Sequence, residues 1–277
     1  MKKELINQPY KFTVSHYVSD THIERIMTRI IEVLQPSMVY KEVSQSNNIF
    51  DNRVITLKNK LLLPEGSRNH HCVKRALDKM MSCKIKIQGN DKKGEYELFT
   101  GLISKYKYYK NSEYVSIEMS NELLRYILDN KKGYTRYVAN VAFNSSSAYT
   151  MRLYKYVCHW RDKADGFLLD IYISFIRKML TLGDKYSTSG GILQRILIPS
   201  MKELEEKADI WFSIKEPIKE GRKVVGWKIQ IHKKKEENKQ LSSRKEDQES
   251  KRREAIFIEQ ERKNLLALAE RFKNETK

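Results

Sequence analysis

Residues 192–235 read ILQRILIPSMKELEEKADIWFSIKEPIKEGRKVVGWKIQIHKKK, and this stretch decides the fold of the second half of the chain. A helix is predicted for its first part, because apolar residues recur there with a period of 3.6. The apolar residues are Ile196, Leu197, Leu204 and Ala208, and the cations opposite them are Arg195, Lys202 and Lys207. Pro199 lacks a backbone N–H, so we expect it to kink this helix or to begin its second half. The basic side is thereby free to face a partner.

A two-stranded hairpin is predicted next, because apolar and polar residues alternate along both strands. The apolar set is Ile210, Phe212, Ile214, Val225, Trp227, Ile229 and Ile231. The connecting loop is expected to carry Lys215, Lys219, Arg222 and Lys223. One face of the hairpin would then join the core while the other faces water. A helix followed by a basic hairpin is the arrangement with which a winged helix meets DNA.

The charge of the chain favours a polyanionic partner. Its 277 residues carry 53 Lys and Arg against 35 Asp and Glu, a formal net charge of +18. Such an excess suits nucleic acid or an anionic membrane, and charge alone does not choose between them. No run of 18 apolar residues occurs, and the N-terminal sequence MKKELINQPYKF has no apolar signal core. A cytoplasmic protein without a membrane segment is therefore predicted.

Neither a metal site nor another cofactor is predicted. The three cysteines, Cys72, Cys83 and Cys158, cannot form an even disulfide framework and fit a reducing compartment. His70 and His71 lie near Cys72 and Cys83, but without the CxxC or HxxxH spacing of zinc sites. No GxxxxGK[ST] phosphate loop occurs, so ATP hydrolysis is not expected.

The first half of the chain is predicted to be helices followed by a hairpin. Asp20 or Thr21 is placed to cap an amphipathic helix that ends before Pro36. A second helix is predicted from Asn69 to Met81, and the cations on its outer side are Lys74, Arg75 and Lys79. Strands are predicted at 83–88, 95–107 and 113–119, with a turn over 89–94 and a short helix near 121–128.

The second half repeats this order. Serines at 145–147 can cap a helix, a short strand is predicted at 168–173, and Gly183 stops the helix that follows. The predicted fold class is α+β, with two tandem winged-helix domains, each of helices plus a β-hairpin wing, and a charged C-terminal tail. The predicted boundaries are 1–138, 139–235 and 236–277. The tail is predicted to be a solvated linker, with a last segment that could form a docking or pairing helix.

Several segments resemble plasmid replication initiator proteins of the Rep_3 superfamily. They are SAYTMRLYKYV (147–157), ILIPSMKELEEKADI (196–210) and IKEGRKVVGWKI (218–229), with YVSIEMSNELLRYILD (114–129) and YTRYVANVAFN (134–144) similar to the family's domain junction. The resemblance spans most of the chain, and residues from about 236 onward lie outside it. It implies two winged helices that bind iterons, which are directly repeated origin sequences in double-stranded DNA.

The resemblance also implies partners and a division of labour. The C-terminal domain would supply the main sequence-specific binding, and the N-terminal domain auxiliary DNA contacts and dimerisation. A host initiator and the replicative helicase would be recruited to the opened origin. Family members also repress their own genes as dimers on inverted repeats.

The residues that this resemblance places on the second-domain recognition helix are Gln194, Arg195, Ser200 and Lys202. Arg195 is the first candidate for reading bases, since a guanidinium can donate two hydrogen bonds to one guanine. The loop cations expected at phosphates, where they add affinity without sequence information, are Lys219, Arg222 and Lys223. Their first-domain counterparts are Lys74, Arg75 and Lys79. No catalytic residue is predicted.

Two other functions compete with this interpretation. A rolling-circle initiator nicks DNA with a tyrosine and needs a metal held by two histidines separated by one hydrophobic residue. None of the six histidines is so paired, which argues against nicking on sequence grounds. A winged-helix transcriptional regulator that binds an inverted repeat shares every DNA-binding feature, and only the family resemblance separates it.

Two further features can be explained by a structural role as well as by a functional one. Tyr106, Tyr108 and Tyr109 interleave with lysines, as in a surface that stacks single-stranded bases, but packing on one face of a hairpin explains them as well. Arg152, within the RLY sequence, is interpreted as a structural residue that ties the two domains together rather than as a catalytic group.

Overall fold

The computed structural model describes residues 5–38, 54–63, 69–91, 93–109 and 113–234. Of these, the residues of Leu5–Lys234 pack as one compact unit. The predicted C-terminal linker and helix lie outside the described residues. No helix within the described ranges is both long and apolar enough to cross a membrane.

The N-terminal half contains the elements of a first winged helix. It begins with β1 (Leu5–Pro9), α1 (Tyr10–Thr13), α2 (Thr21–Val33), β2 (Val54–Lys58) and α3 (His70–Ser82). It continues with β3 (Lys84–Asp91), β4 (Gly94–Gly101), β5 (Lys105–Tyr108), β6 (Tyr114–Glu118), α4 (Asn121–Leu128), β7 (Tyr134–Val138) and α5 (Ala139–Asn144). The β3–β4 hairpin is the first wing, and it follows directly on α3.

The helix caps predicted from the sequence are confirmed. The Asp20 carboxylate accepts hydrogen bonds from the backbone N–H groups of His22 and Ile23, at 3.0 and 3.1 Å. α2 ends at Val33, ahead of Pro36, as predicted. Such caps satisfy N–H groups that have no partner within the helix, and they depend only on neighbouring residues.

The predicted strand 95–107 is wrong, because the chain forms two strands there that belong to different sheets. β4 pairs with β3, whereas β5 pairs with β6, which in turn pairs with β2. The break lies at Gly101, where an added Cβ would be 2.9 Å from the Ile103 carbonyl oxygen. The first wing is also longer than predicted, since pairing continues to Asp91 and Gly94. The ladder therefore takes up most of the predicted 89–94 turn.

A two-stranded pair that the sequence analysis missed joins the start of the chain to its middle. β1 runs antiparallel to β7, from Leu5 opposite Val138 to Pro9 opposite Tyr134. The two strands are far apart in sequence, so no local pattern indicates their pairing.

The second winged helix starts with α6 (Ala148–Val157), β8 (Leu168–Tyr172) and α7 (Ile173–Met179). A long helix at 189–207 follows, made of α8 (Ser189–Ile192), a π-type segment (Leu193–Leu197) and α9 (Ile198–Lys207). The second wing is the hairpin of β9 (Ile210–Glu220) and β10 (Lys223–Lys233), and the sheet order is β8–β10–β9.

The second wing differs from its prediction at the turn. Lys215 and Lys219 lie on β9, and only Gly221 and Arg222 connect the strands. Gly221 has φ of +60°, the left-handed conformation that two-residue hairpin turns require. The predicted alternation is confirmed along most of both strands, since Ile210, Phe212, Trp227, Ile229 and Ile231 are buried. Val225 departs from it, because the bulge between Val224 and Gly226 shifts the pattern there.

One continuous hydrophobic cluster runs through both winged helices. α6 lies at its centre, because it packs against α2 of the first winged helix and against α9 and β9 of the second. Ser147 caps α6 by accepting a hydrogen bond from the Thr150 N–H, at 3.0 Å. The helix that the 145–147 serines predicted is thus the element that joins the two winged helices.

Candidate nucleic-acid interface

The 189–207 helix has one buried and one exposed side. Ile196, Leu197 and Leu204 are buried against the core, as the periodicity predicted. Gln194, Arg195 and Lys202 are on the outer side, where Arg195 and Lys202 are exposed. An α-helix fits the major groove of B-DNA, so this side is positioned to present an amide and two cations to base edges and phosphates.

Pro199 begins the second half of this helix, one of the two outcomes expected of it. It has no N–H to donate to the Arg195 carbonyl four residues earlier. The backbone widens to the π-type segment Leu193–Leu197 immediately before it. That segment carries both Gln194 and Arg195. Single π-turns inside helices occur frequently at functional sites.

Ser200 does not belong to the exposed surface, which corrects its predicted role in DNA contact. Its side chain is 1% exposed, and its hydroxyl lies 3.1 Å from that of Thr150 on α6. It lies four residues after Ile196 and four before Leu204, on the buried side of the helix. Ser200 therefore holds the 189–207 helix against α6.

The second wing places three predicted cations at its tip. Lys219, Arg222 and Lys223 are exposed within or next to the Gly221 turn. The neighbouring ion pairs engage other cations, Lys207 with Glu203 and Lys228 with Glu216. No carboxylate among the described residues pairs with the tip cations or with Arg195 and Lys202. These side chains can reach phosphates without first breaking an ion pair.

Buried and half-buried polar contacts fix the position of the 189–207 helix. The Glu203 carboxylate accepts from the Ser146 N–H at 2.7 Å and from the Ser146 hydroxyl at 2.5 Å. Burial opposes ionisation, but these bonds hold the pKa of Glu203 below its ordinary value. Where the helix ends, Asp209 accepts from Tyr154 on α6 and pairs with Arg161, both at 2.7 Å.

The first-domain candidates lie on α3. Lys74 and Arg75 are exposed and have no ion pair within the described residues. Lys79 is exposed too, but its ammonium pairs with the Asp20 carboxylate at 2.7 Å. Lys79 therefore joins α3 to the start of α2, and it would have to release Asp20 to bind a phosphate.

A buried charged group that sequence reasoning missed joins α2 to α6. The Glu24 carboxylate lies 2.9 Å from the Lys155 ammonium and 3.5 Å from the Arg152 guanidinium. It also accepts from the hydroxyls of Tyr17 and Ser19. We call these five residues the Glu24 cluster. Burial alone would raise the pKa of Glu24, but Lys155 and Arg152 outweigh it and lower that pKa to about 2.

Arg152 is structural, as predicted. It is 3% exposed, donates to the Ser15 carbonyl at 2.5 Å, and stacks 4.3 Å from the centre of the Tyr17 ring. The signal in the sequence was a pair of cations, Arg152 and Lys155, within a helix whose other residues are mostly apolar. Their partner Glu24 could not be identified, because it resembles an exposed helix residue in the sequence.

Two of the three tyrosines that suggested base stacking pack against the core. The Tyr106 hydroxyl donates to Asp78 on α3 at 2.5 Å, and the rings of Tyr106 and Tyr108 pack against the core. Tyr109 is exposed. In the part of the chain that the structure describes, Cys72 and Cys83 are free thiols and no three metal-ligating side chains converge.

Two units of helix and wing, each with exposed cations, define a tandem winged-helix protein of the nucleic-acid-binding class. The family model described as "Initiator Replication protein, WH1" matches residues 1–158, and that described as "Initiator Rep protein, WH2" matches residues 173–231. The chain belongs to this family of initiator replication proteins. The resemblance and the fold predicted from the sequence are thereby confirmed.

Comparison with one solved structure, that of Pi initiator protein, supports this fold. The crystal structure of Pi initiator protein in complex with iteron DNA matches with a TM-score of 0.63 and 17% identity, over 85% of this chain and 100% of that chain. The WH1 domain of MSBI1.176, a replication protein isolated from a multiple sclerosis patient, matches with a TM-score of 0.27 and 11% identity, over 38% of this chain and 80% of that chain. The comparison with curated protein sequences gave no match.

Proposed function

We propose that this protein is a plasmid replication initiator that binds iterons in double-stranded DNA through both of its winged helices. The observation that carries the proposal is the exposed, unpaired set of cations on the 189–207 helix and the second wing. Family membership supports replication initiation as the process that this binding serves. The Pi initiator, which shares the fold, was crystallised with iteron DNA.

The residues have different roles in this proposal. Gln194 and Arg195 read bases, because an amide and a guanidinium can each make two hydrogen bonds to one purine. Lys202 and the cations of the second wing, Lys219, Arg222 and Lys223, bind phosphates and add affinity for any sequence. Lys74 and Arg75 supply weaker phosphate contacts from the first domain, and Lys79 does so when it releases Asp20.

The domains are proposed to divide the work. Residues 1–138 form the N-terminal domain, which adds auxiliary DNA contacts and the homodimer interface. Residues 139–235 form the main sequence-specific domain, and 236–277 a charged tail. The protein acts in the cytoplasm without catalysis of its own. Binding opens the origin, and the host initiator and replicative helicase are recruited to it.

Selection of the purified protein against a random double-stranded DNA pool at about 150 mM salt tests this function. We expect one motif to be enriched, bound roughly a thousandfold or more above random DNA. The motif should recur in tandem beside the gene. A motif found only as an inverted repeat at the gene's promoter would instead indicate a transcriptional regulator. Absence of any enriched motif would contradict both functions.

A further inference from the structure

A continuous series of buried and ion-paired contacts joins the two DNA-facing helices. α3 packs on α2, and Lys79 of α3 pairs with Asp20 at the start of α2. α2 joins α6 through the Glu24 cluster. α6 joins the 189–207 helix through the Thr150–Ser200 hydroxyl pair. The distance from Lys74 and Arg75 on α3 to Arg195 is therefore set by three helix–helix contacts, which we call joints. They lie between α3 and α2, between α2 and α6, and between α6 and the 189–207 helix.

The joint between α2 and α6 differs from the other two in being charged and closed to water. Glu24 is 0%, Lys155 2% and Arg152 3% exposed. Glu24 and Lys155 are 131 residues apart in sequence and lie on α2 and α6. The WH1 family model extends to residue 158, but α6 packs against the 189–207 helix and β9, so we assign it to the second winged helix. Lys155 has one anionic partner among the described residues, which is Glu24.

An ion pair between two packed helices restricts their sliding against each other more than an apolar contact does. Two apolar helix faces can repack after a small displacement with little loss of buried area. A displacement that separates Lys155 from Glu24 leaves both charges buried without a partner, which is strongly unfavourable. The best attested role of a buried polar group is to fix one register between packed helices, even where it adds no stability to the fold.

We propose that the Glu24 cluster fixes the register of the two winged helices on DNA, so that it determines which spacing between the two contacted segments of a repeat is accepted. This proposal rests on the proposed function. Each added base pair moves one segment by about 3.4 Å and rotates it by roughly 35° about the duplex axis. A rigid joint between α2 and α6 cannot follow that displacement.

The test measures affinity for altered repeats. Footprinting of the wild-type complex on the enriched repeat locates the segment that each winged helix protects. One, two or three base pairs are then inserted between the segments. The variant is Glu24→Gln with Lys155→Met, which removes both charges. The introduced amide keeps an acceptor for Tyr17 and Ser19, and the introduced methionine side chain keeps the volume of the lysine stem.

The control is Lys11→Met with Asp129→Asn. These residues form an ion pair at 2.6 Å between α1 and the end of α4, both inside the first winged helix. The control leaves the formal net charge unchanged, as the test variant does. Any effect that the test variant shows and the control does not is therefore due to the ion pair between α2 and α6, rather than to the loss of an ion pair in general.

We expect one inserted base pair to lower the affinity of the wild type and of the control at least about tenfold, within the range of a disrupted base contact. On the same insertion the double variant should lose clearly less affinity than the wild type, while circular dichroism shows that it is folded. A folded double variant with the wild-type response to insertions would overturn the proposal, as would a wild type that tolerates insertions.

A second variant serves if the double variant does not fold. Arg152→Lys keeps a positive charge beside Glu24 but loses the planar stack on Tyr17. It should widen the accepted spacing less than the double variant does, because the Glu24–Lys155 pair remains. Loss of the folded circular dichroism signal in both variants would show that the cluster serves folding alone, which also overturns the proposal. A wild type without any preferred motif would contradict the proposed function, and this result appears before any variant is made.

Discussion

Arg195 and Lys223 are both exposed, and we propose that they take different roles in DNA binding. Arg195 is held on the π-type segment of a packed helix, whereas Lys223 lies beside the two-residue turn of the second wing. A fixed, planar donor pair suits recognition of one base edge, and a flexible ammonium at a hairpin tip suits phosphate. We therefore propose that the position of each cation on its element decides what it contributes to DNA binding.

Replacement of Arg195 by Ala is expected to lower affinity for the specific repeat by about 1–3 kcal/mol and to relax the preference at one base position. Lys223→Ala should weaken specific and random DNA alike and reduce the slope of log affinity against log salt by about 1. Titration of both variants on both DNAs checks this. An equal loss on specific and random DNA for the Arg195 variant would remove it from the base-reading residues.

Glu24 makes the free energy of unfolding depend on pH in the acid range. Its pKa falls from 4.5 to about 2 on folding, so its stabilising contribution is complete above pH 4.5 and is lost as the pH falls through about 2. Urea unfolding over the acid range, down to a pH of about 2, should show this loss in the wild type. In Glu24→Gln with Lys155→Met the decline should be smaller, and an unchanged decline would contradict this assignment.

At the scale of elements, the pairing of β8 with β10 depends on a close approach between their backbones. Gly226 on β10 faces β8, and an added Cβ would lie 2.7 Å from the Ile171 carbonyl oxygen and 3.1 Å from the Tyr172 Cα. Both contacts are with backbone, which cannot rotate away. The pairing of β8 with β10 therefore requires a residue without a side chain here.

Gly226→Ala is expected to destabilise the protein by about 1–3 kcal/mol, because the Cβ forces β8 and β10 apart. Gly190→Ala is the matched control, since a Cβ there meets no atom within 4 Å and Gly190 lies in a helix. Thermal unfolding should give a lower midpoint for the first variant and an equal or higher one for the second. Equal midpoints in both variants would show that the strands can separate without cost.

At the scale of the whole molecule, the formal net charge of +18 includes many exposed cations on both winged helices. Six exposed cations without ion pairs among the described residues are candidates for phosphate contact. They are Lys74, Arg75, Lys202, Lys219, Arg222 and Lys223. Elsewhere on the surface Lys11 is paired with Asp129, whereas Lys107, Lys132 and Lys185 are exposed and also have no ion pair among the described residues.

Binding to the repeat should depend steeply on salt. Six phosphate contacts predict a slope of log affinity against log salt of about −5, and 6 to 10 contacts a loss of roughly three to five orders of magnitude between about 50 and 200 mM salt. Fluorescence anisotropy over this range measures the slope. A flat response would contradict phosphate binding by these cations.

The sequence by itself determined what depends on neighbouring residues. The Asp20 cap, the apolar side of the 189–207 helix and the alternation of the second wing follow from short-range periods and caps, and the structure confirms them. The resemblance carried by residues 147–157 and 196–229 was sufficient to predict the family. Charge and the exposed side of one helix gave the candidate cations.

Only the tertiary structure decided which polar residues are buried and which strands pair. It turned Ser200 toward Thr150, divided 95–107 between two sheets, and brought Glu24 to Lys155. Each outcome depends on an element far away in the sequence, which no local period reports. Burial is a property of the packed whole, because a side chain is removed from water by whatever the fold places against it.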